Sequence, residues 1–318
     1  MKNETLEAIA DRLEAGITKA KKLGARAVKI AFSRAESLEP SFESGRLKDI
    51  RNHQTAAYEI ETLVGDRRGE TSGNNIDDLD ELVARAVALA SVGAQAHFDT
   101  YPAPASCANV KLHSNTVESL TLDSMLAACS KIVDALKARD SELFISAGAS
   151  RSSSENILLT SSGLRHLSKS THWDLSADIQ KTDGTDMLFA WKGRSWREVN
   201  SLFDPDYIIS EIIKDIDRGE TIVDSPTGNL PVLLTPGMTS SLLKAFALAV
   251  NGKNVAKGDS PFKGKLGQTV ASDNVTIYDD PHCDYSPSAE VIDSDGVPTR
   301  RQTVIENEIG RASCRERV

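Results

Sequence analysis

No two histidines of this 318-residue chain stand three or four positions apart, so no helix can present the paired imidazoles of a HExxH zinc site. The six fall at positions 53, 97, 113, 166, 172 and 282. The four cysteines (Cys107, Cys129, Cys283 and Cys314) form no CxxC pair, and such scattered thiols fit a reducing cytoplasm. No apolar run reaches the roughly 18 residues a bilayer span needs; Leu242 to Val250 is broken by Lys244. The opening Met-Lys-Asn-Glu-Thr-Leu-Glu has no uninterrupted apolar core, so it does not read as a secretory signal. A basic excess is also missing. With 37 Lys and Arg against 46 Asp and Glu, the net charge is −9, which excludes nucleic-acid or anionic-membrane binding as the main task.

What is present is a globular composition, 40% hydrophobic and 26% charged, in a chain long enough for two domains. From Asn3 to Lys22, Leu6, Ile9, Leu13 and Ile17 recur at helical steps, and Gly24 follows as a C-terminal stop. Val28, Ile30 and Phe32 alternate as a strand does, as do Tyr58, Ile60 and Thr62. Further helices are expected from Asp77 to Ala90, Thr121 to Ala138 and Pro205 to Asp217. Strands are expected at Leu143–Ala149, Asn156–Thr160, Trp173–Gln180 and Met187–Trp191, with a hairpin turn over Thr182–Thr185. Ser225-Pro226-Thr227-Gly228 reads as a boundary, giving a first domain over 1–225 and a second over 226–308. Beyond the boundary come a short strand (Leu230–Leu234), a turn at Pro236-Gly237, a helix (Thr239–Val250) with Leu242 and Phe246 inward, and a strand (Val275–Tyr278). Residues 309–318 (IGRASCRERV) resemble a translated library adapter and are set aside as a non-native tail. Helices and strands mix without βαβ alternation, so the fold class is α+β: a mixed N-terminal domain, then a β-rich C-terminal domain expected to be incomplete here.

No motif assembles a catalytic site. His282-Cys283-Asp284 places three donors side by side, but adjacent residues rarely chelate one ion. Gly258–Lys265 has one residue too many for a P-loop, and Leu266 stands where a magnesium-binding hydroxyl belongs. Ser241 and Lys244 match SxxK and Ser272-Asp273-Asn274 matches SDN, but no KTG follows, so a serine acyl enzyme stays a minor alternative. Asp279-Asp280 and Asp293/Asp295 are carboxylate pairs of the kind that bind divalent cations or, more often, close turns. Trp173, Trp191 and Trp196 read as core or strand-face aromatics.

The order of segments carries a resemblance. GDRRGETSGN at Gly65–Asn74 and the helix ending Ala86-Val-Ala-Leu-Ala90 come first, then NILLTSSGL at Asn156–Leu164. KGDSPFKGKLG at Lys257–Gly267, VASDNVTIYDDP at Val270–Pro281, DSDGVPTRR at Asp293–Arg301 and VIE at Val304–Glu306 follow. Together they resemble the TldD/PmbA (peptidase U62, modulator of DNA gyrase) family over Leu6 to Glu306. Metal-bearing members of that family carry HExxxH on a helix that here falls on Lys244, Ala245 and Ala249. The resemblance therefore implies a PmbA/TldE-type subunit with no catalytic or metal-ligating residues of its own. It further implies a heterodimeric, metal-bearing TldD-like partner that supplies zinc, and unfolded peptide as substrate. The rival expectation is a homodimeric peptide-binding or assembly protein. The family's Asp-Asp-Glu-Gly element stands here as Asp293-Ser294-Asp295-Gly296, which puts any role of those exact acids in question.

Overall fold

The computed structural model describes residues 4–224, 226–307 and 309–310, and these fall into two units. The first holds residues up to 222 together with 283–298; the second holds the rest. Of the tail expected over 309–318, residues 311–318 lie outside the described residues, as do Ser225 and Glu308.

The first unit opens with helix α1 (Leu6–Lys22), whose N-cap Thr5 accepts from the Ala8 amide at 3.2 Å. Strands β1 (Ala27–Glu43) and β2 (Arg46–Val64) form a long hairpin around Ser44 and Gly45, both at positive φ as a tight turn demands. β3 (Arg67–Gly73) pairs back on β2. A 3-10 turn (Ile76–Asp78) leads into α2 (Leu79–Leu89), and a short α3 (Asn115–Glu118) precedes α4 (Leu122–Arg139). Then come β4 (Phe144–Thr160), β5 (Arg165–Asp183), β6 (Asp186–Trp196) and α5 (Pro205–Gly219). The strands make one antiparallel sheet in the order β3-β2-β1-β4-β5-β6.

Alternation decides which face is dry. Val28, Ile30 and Phe32 of β1, Tyr58 and Ile60 of β2, and Ile157 and Leu159 of β4 point one way and bury α1 and α2. Farther along the same face, Ile145, Ala147 and Ala149 meet Trp173, Leu175, Ala177 and Ile179 beneath α4 and α5. α5 shows how a helix is fixed to that surface. Asp204 caps it, Pro205 starts it, and Ile208, Ile212 and Ile216 at four-residue steps are fully buried. Among the described residues, the helices of this unit longer than one turn thus lie on one face, leaving the other free of helices.

The second unit holds α6 (Pro236–Val250), α7 (Gly252–Lys257) and a three-stranded sheet of β7 (Ile277–Asp279), β8 (Gln302–Glu306) and β9 (Ile309–Gly310). The fold class is α+β. Three expectations fail here. The strand expected at Leu230–Leu234 does not form, because no neighbouring strand takes up its backbone groups among the described residues. Leu242 is exposed rather than inward; Val250 is the buried residue of α6, and Phe246 is half-buried edge-on to Phe262 at 5.5 Å. Pro236, expected in a turn, is instead the first helical residue behind an N-cap at Thr235.

Candidate functional site

The helix-free face of the large sheet carries a cleft of about 510 Å³. Strand alternation sends Lys29, Ala31 and Ser33 of β1, Glu59 of β2, Asn156 of β4 and His166, Ser168 and Ser170 of β5 to this face. Residues 289–294 form one wall, and Arg197, just past β6, contributes another side chain. The cleft therefore offers many hydroxyl, amide and imidazole groups over a floor of strand backbone, chemistry suited to an extended polar chain.

Its charges are partly withdrawn from water. Burial pushes the His166 imidazole below its ordinary range. The same holds for His172 on the same face, where burial outweighs the attraction of nearby Asp174. Burial raises the Asp174 carboxyl, although the Ser176 hydroxyl donates to it at 3.0 Å. Burial also lowers the Arg197 guanidinium and raises the Glu290 carboxyl. Arg197 donates to the Pro287 carbonyl at 2.9 Å, which ties the wall segment to the sheet.

One end of the face is closed by a polar network. Lys29 Nζ lies 2.8 Å from Asp295 Oδ1 and 3.2 Å from Glu61 Oε2, and the Tyr101 hydroxyl donates to Glu61 at 2.7 Å. Burial alone would depress the Lys29 ammonium; the hydrogen bond to Asp295 and the charge of Glu61 reverse that and raise it. Burial first, then Glu61, drives the Tyr101 phenol far upward, so it stays protonated and donates to Glu61. The adjoining Asp293 accepts the amides of Asp295 and Val297 at 2.9 and 2.8 Å, closing a turn that needs Gly296 at φ +84°.

The sequence candidates do not converge. Asp293 closes a turn and Asp295 binds Lys29, so that carboxylate pair does not present itself to a cation. His282 Nε2 lies 3.1 Å from the Thr299 hydroxyl, whereas Asp284 accepts the Lys111 amide at 2.9 Å and Cys283 is exposed. Asp280 meets Arg301 at 3.4 Å. The Ser241 hydroxyl donates to the Gly237 carbonyl at 3.4 Å, the ordinary back-bond of a helical serine, and no contact with Lys244 accompanies it. Lys244, Ala245 and Ala249 follow one another on α6. Alanine has no donor atom and an ammonium has no lone pair, so these positions do not fit a zinc ion. Among the described residues, no three His, Cys, Asp or Glu side chains gather as metal ligands. Trp173 is buried, while Trp191 is largely exposed. Among the described residues, no helix is long and apolar enough to cross a membrane.

Residues 227–309 match the sequence profile of the PmbA/TldA metallopeptidase C-terminal domain. The crystal structure of TldE from Thermococcus kodakarensis shares the fold, with a TM-score of 0.81 at 19% identity over 95% of this chain and 69% of that one. The chain thus has the fold of TldE, and its residues 227–309 are similar to the C-terminal domain of the PmbA/TldD family. A metalloprotease of Methanothermobacter thermautotrophicus is 34% identical over 83 residues, 26% of this chain and 18% of that protein. An uncharacterized protein of Methanocaldococcus jannaschii is 25% identical over 166 residues, 52% of this chain and 38% of that protein. The chain thus matches well under half the length of these curated relatives.

The polar network at the end of this face was hidden in the sequence because its members are far apart. Lys29, Glu61, Tyr101 and Asp295 meet only through the pairing of β1 with β2 and the return of residues 283–298 to the sheet. The one available signal was a lysine on the polar face of an otherwise apolar strand, which needs a counter-charge if half-buried.

Proposed function

We propose that this chain is the metal-free subunit of a TldD/TldE-like peptidase assembly. In this reading it holds unfolded peptide for a metal-bearing, TldD-like partner that supplies the zinc, in the cytoplasm. The observation that carries the reading is α6. It lies inside the stretch matching the metallopeptidase C-terminal domain, yet it presents Lys244, Ala245 and Ala249 where HExxxH is expected. The likeness in fold to a chain called TldE supports the same assignment. The helix-free face supports the holding role: exposed strand-borne hydroxyls, Asn156 and His166 can exchange hydrogen bonds with a peptide backbone without selecting one side chain.

Within this reading, the residues of this chain bind and orient, and bond cleavage belongs to the partner. The test is co-expression with a HExxxH-bearing relative from the same genome. Co-purification and peptide cleavage that appears only in the mixture support the proposal. Stoichiometric zinc and peptide cleavage by the full-length chain alone would sink it.

A further inference from the structure

The two edges of the large sheet are treated differently. At β3, Arg67 bridges Gln95, the Arg68 amide donates to Ala94 and the Ala96 amide to Asp66, so part of that edge is covered. At β6, residues 186–196 make no backbone hydrogen bond to anything but β5 among the described residues. The two-residue turn at Gly184-Thr185 closes on the pair Asp183↔Asp186. Antiparallel geometry then turns the backbone groups of Asp186, Leu188 and Ala190 toward β5, and those of Met187, Phe189 and Trp191 outward. The side chains of these three outward residues share the helix-free face and are 54%, 64% and 63% exposed. No proline, bulge or outward lysine blunts the edge over this stretch.

We propose that β6 pairs antiparallel with β6 of a second copy of this chain, about a two-fold axis at Phe189, joining the two sheets edge to edge. The strand is self-complementary about that point. Phe189 faces its counterpart, Met187 faces Trp191, and Asp186 faces Lys192. The Asp186 side chain has no ion pair or hydrogen bond within the chain among the described residues, while Lys192 already reaches Asp215 at 2.7 Å and can bridge both acids. A shift of two residues either way sets Met187 against Gly193, or Asp186 against Ala190 and Trp191 against Thr185. Only centring on Phe189 gives all three outward side chains an apolar partner. A one-residue shift would oppose outward to inward backbone groups and lose the ladder. The three side chains offer on the order of 400 Å² per copy, about half of a standard interface side, so the dimer is expected to be weak and concentration-dependent. This pairing does not depend on the peptidase reading above.

Sedimentation velocity of the full chain over rising concentration is expected to pass from monomer to dimer. Trp191→Glu is expected to abolish the dimer while leaving circular dichroism unchanged, because the side chain packs on no core residue. With Cys107, Cys283 and Cys314 changed to serine, Phe189→Cys is expected to give a disulfide-linked dimer on oxidation, and Met187→Cys is not. A monomer at every concentration, a dimer that survives Trp191→Glu, or failure of Phe189→Cys to cross-link more readily than Met187→Cys overturns the proposal.

Discussion

Lys29 is held between Glu61 and Asp295, and all three side chains are less than about a fifth exposed. Removing the lysine leaves two largely buried carboxylates facing each other, with only Arg68, 3.9 Å from Glu61, as a remaining cation. Lys29→Met is expected to cost about 3 kcal/mol or more in urea denaturation, far beyond its lost packing. Gly296 is a second sensitive position. Its φ of +84° is strained for any side chain, and a Cβ would come 2.2 Å from Leu164 Cδ2. Gly296→Ala should therefore cost about 1–3 kcal/mol on the same assay. His166 gives a pH signature. Burial depresses its folded pKa, so its contribution to stability is present above the unfolded value near about 6.5 and is lost as pH falls below it. Asp174 and Glu290, raised by burial, act in the opposite sense, so the histidine's part is read by difference. Between pH 7 and pH 5, the urea midpoint of His166→Gln should fall less than that of the unaltered chain.

At the scale of elements, burial separates two helices that look alike in sequence. Ile212 of α5 is fully buried under the sheet's apolar face, and Leu242 of α6 is 56% exposed. Ile212→Ala should cost about 2–5 kcal/mol, whereas Leu242→Ala should stay within about 0.5 kcal/mol. Helical periodicity was enough to place α1, α4 and α5, because each has a single apolar stripe. The strands were legible only in pieces. β4 was expected as Leu143–Ala149 and Asn156–Thr160, yet it runs unbroken through Ser150–Glu155. Those central residues carry no apolar alternation. Pairing with β1 on one side and β5 on the other satisfies their backbone, so a strand persists where the pattern lapses. The strand expected at Leu230–Leu234 is the converse: apolar residues in the right pattern, but no neighbour to pair with among the described residues. The candidate cleft was less legible still, since its charged groups are joined by register and not by spacing.

At the scale of the molecule, the domain match over residues 227–309 and the side chains of α6 have to be reconciled. A stretch that matches a metallopeptidase C-terminal domain carries no donor set for zinc at Lys244, Ala245 and Ala249. The proposed pairing with a metal-bearing partner would reconcile the two, with the helix-free face of the large sheet as this chain's proposed contribution. The most direct measurement is metal analysis of the purified full-length chain, after incubation with zinc and dialysis, alongside a peptide-cleavage assay with and without the HExxxH-bearing relative. The account predicts no stoichiometric zinc and no cleavage by this chain alone, with cleavage restored by the partner. One tightly held zinc per chain together with cleavage in the partner's absence would contradict it.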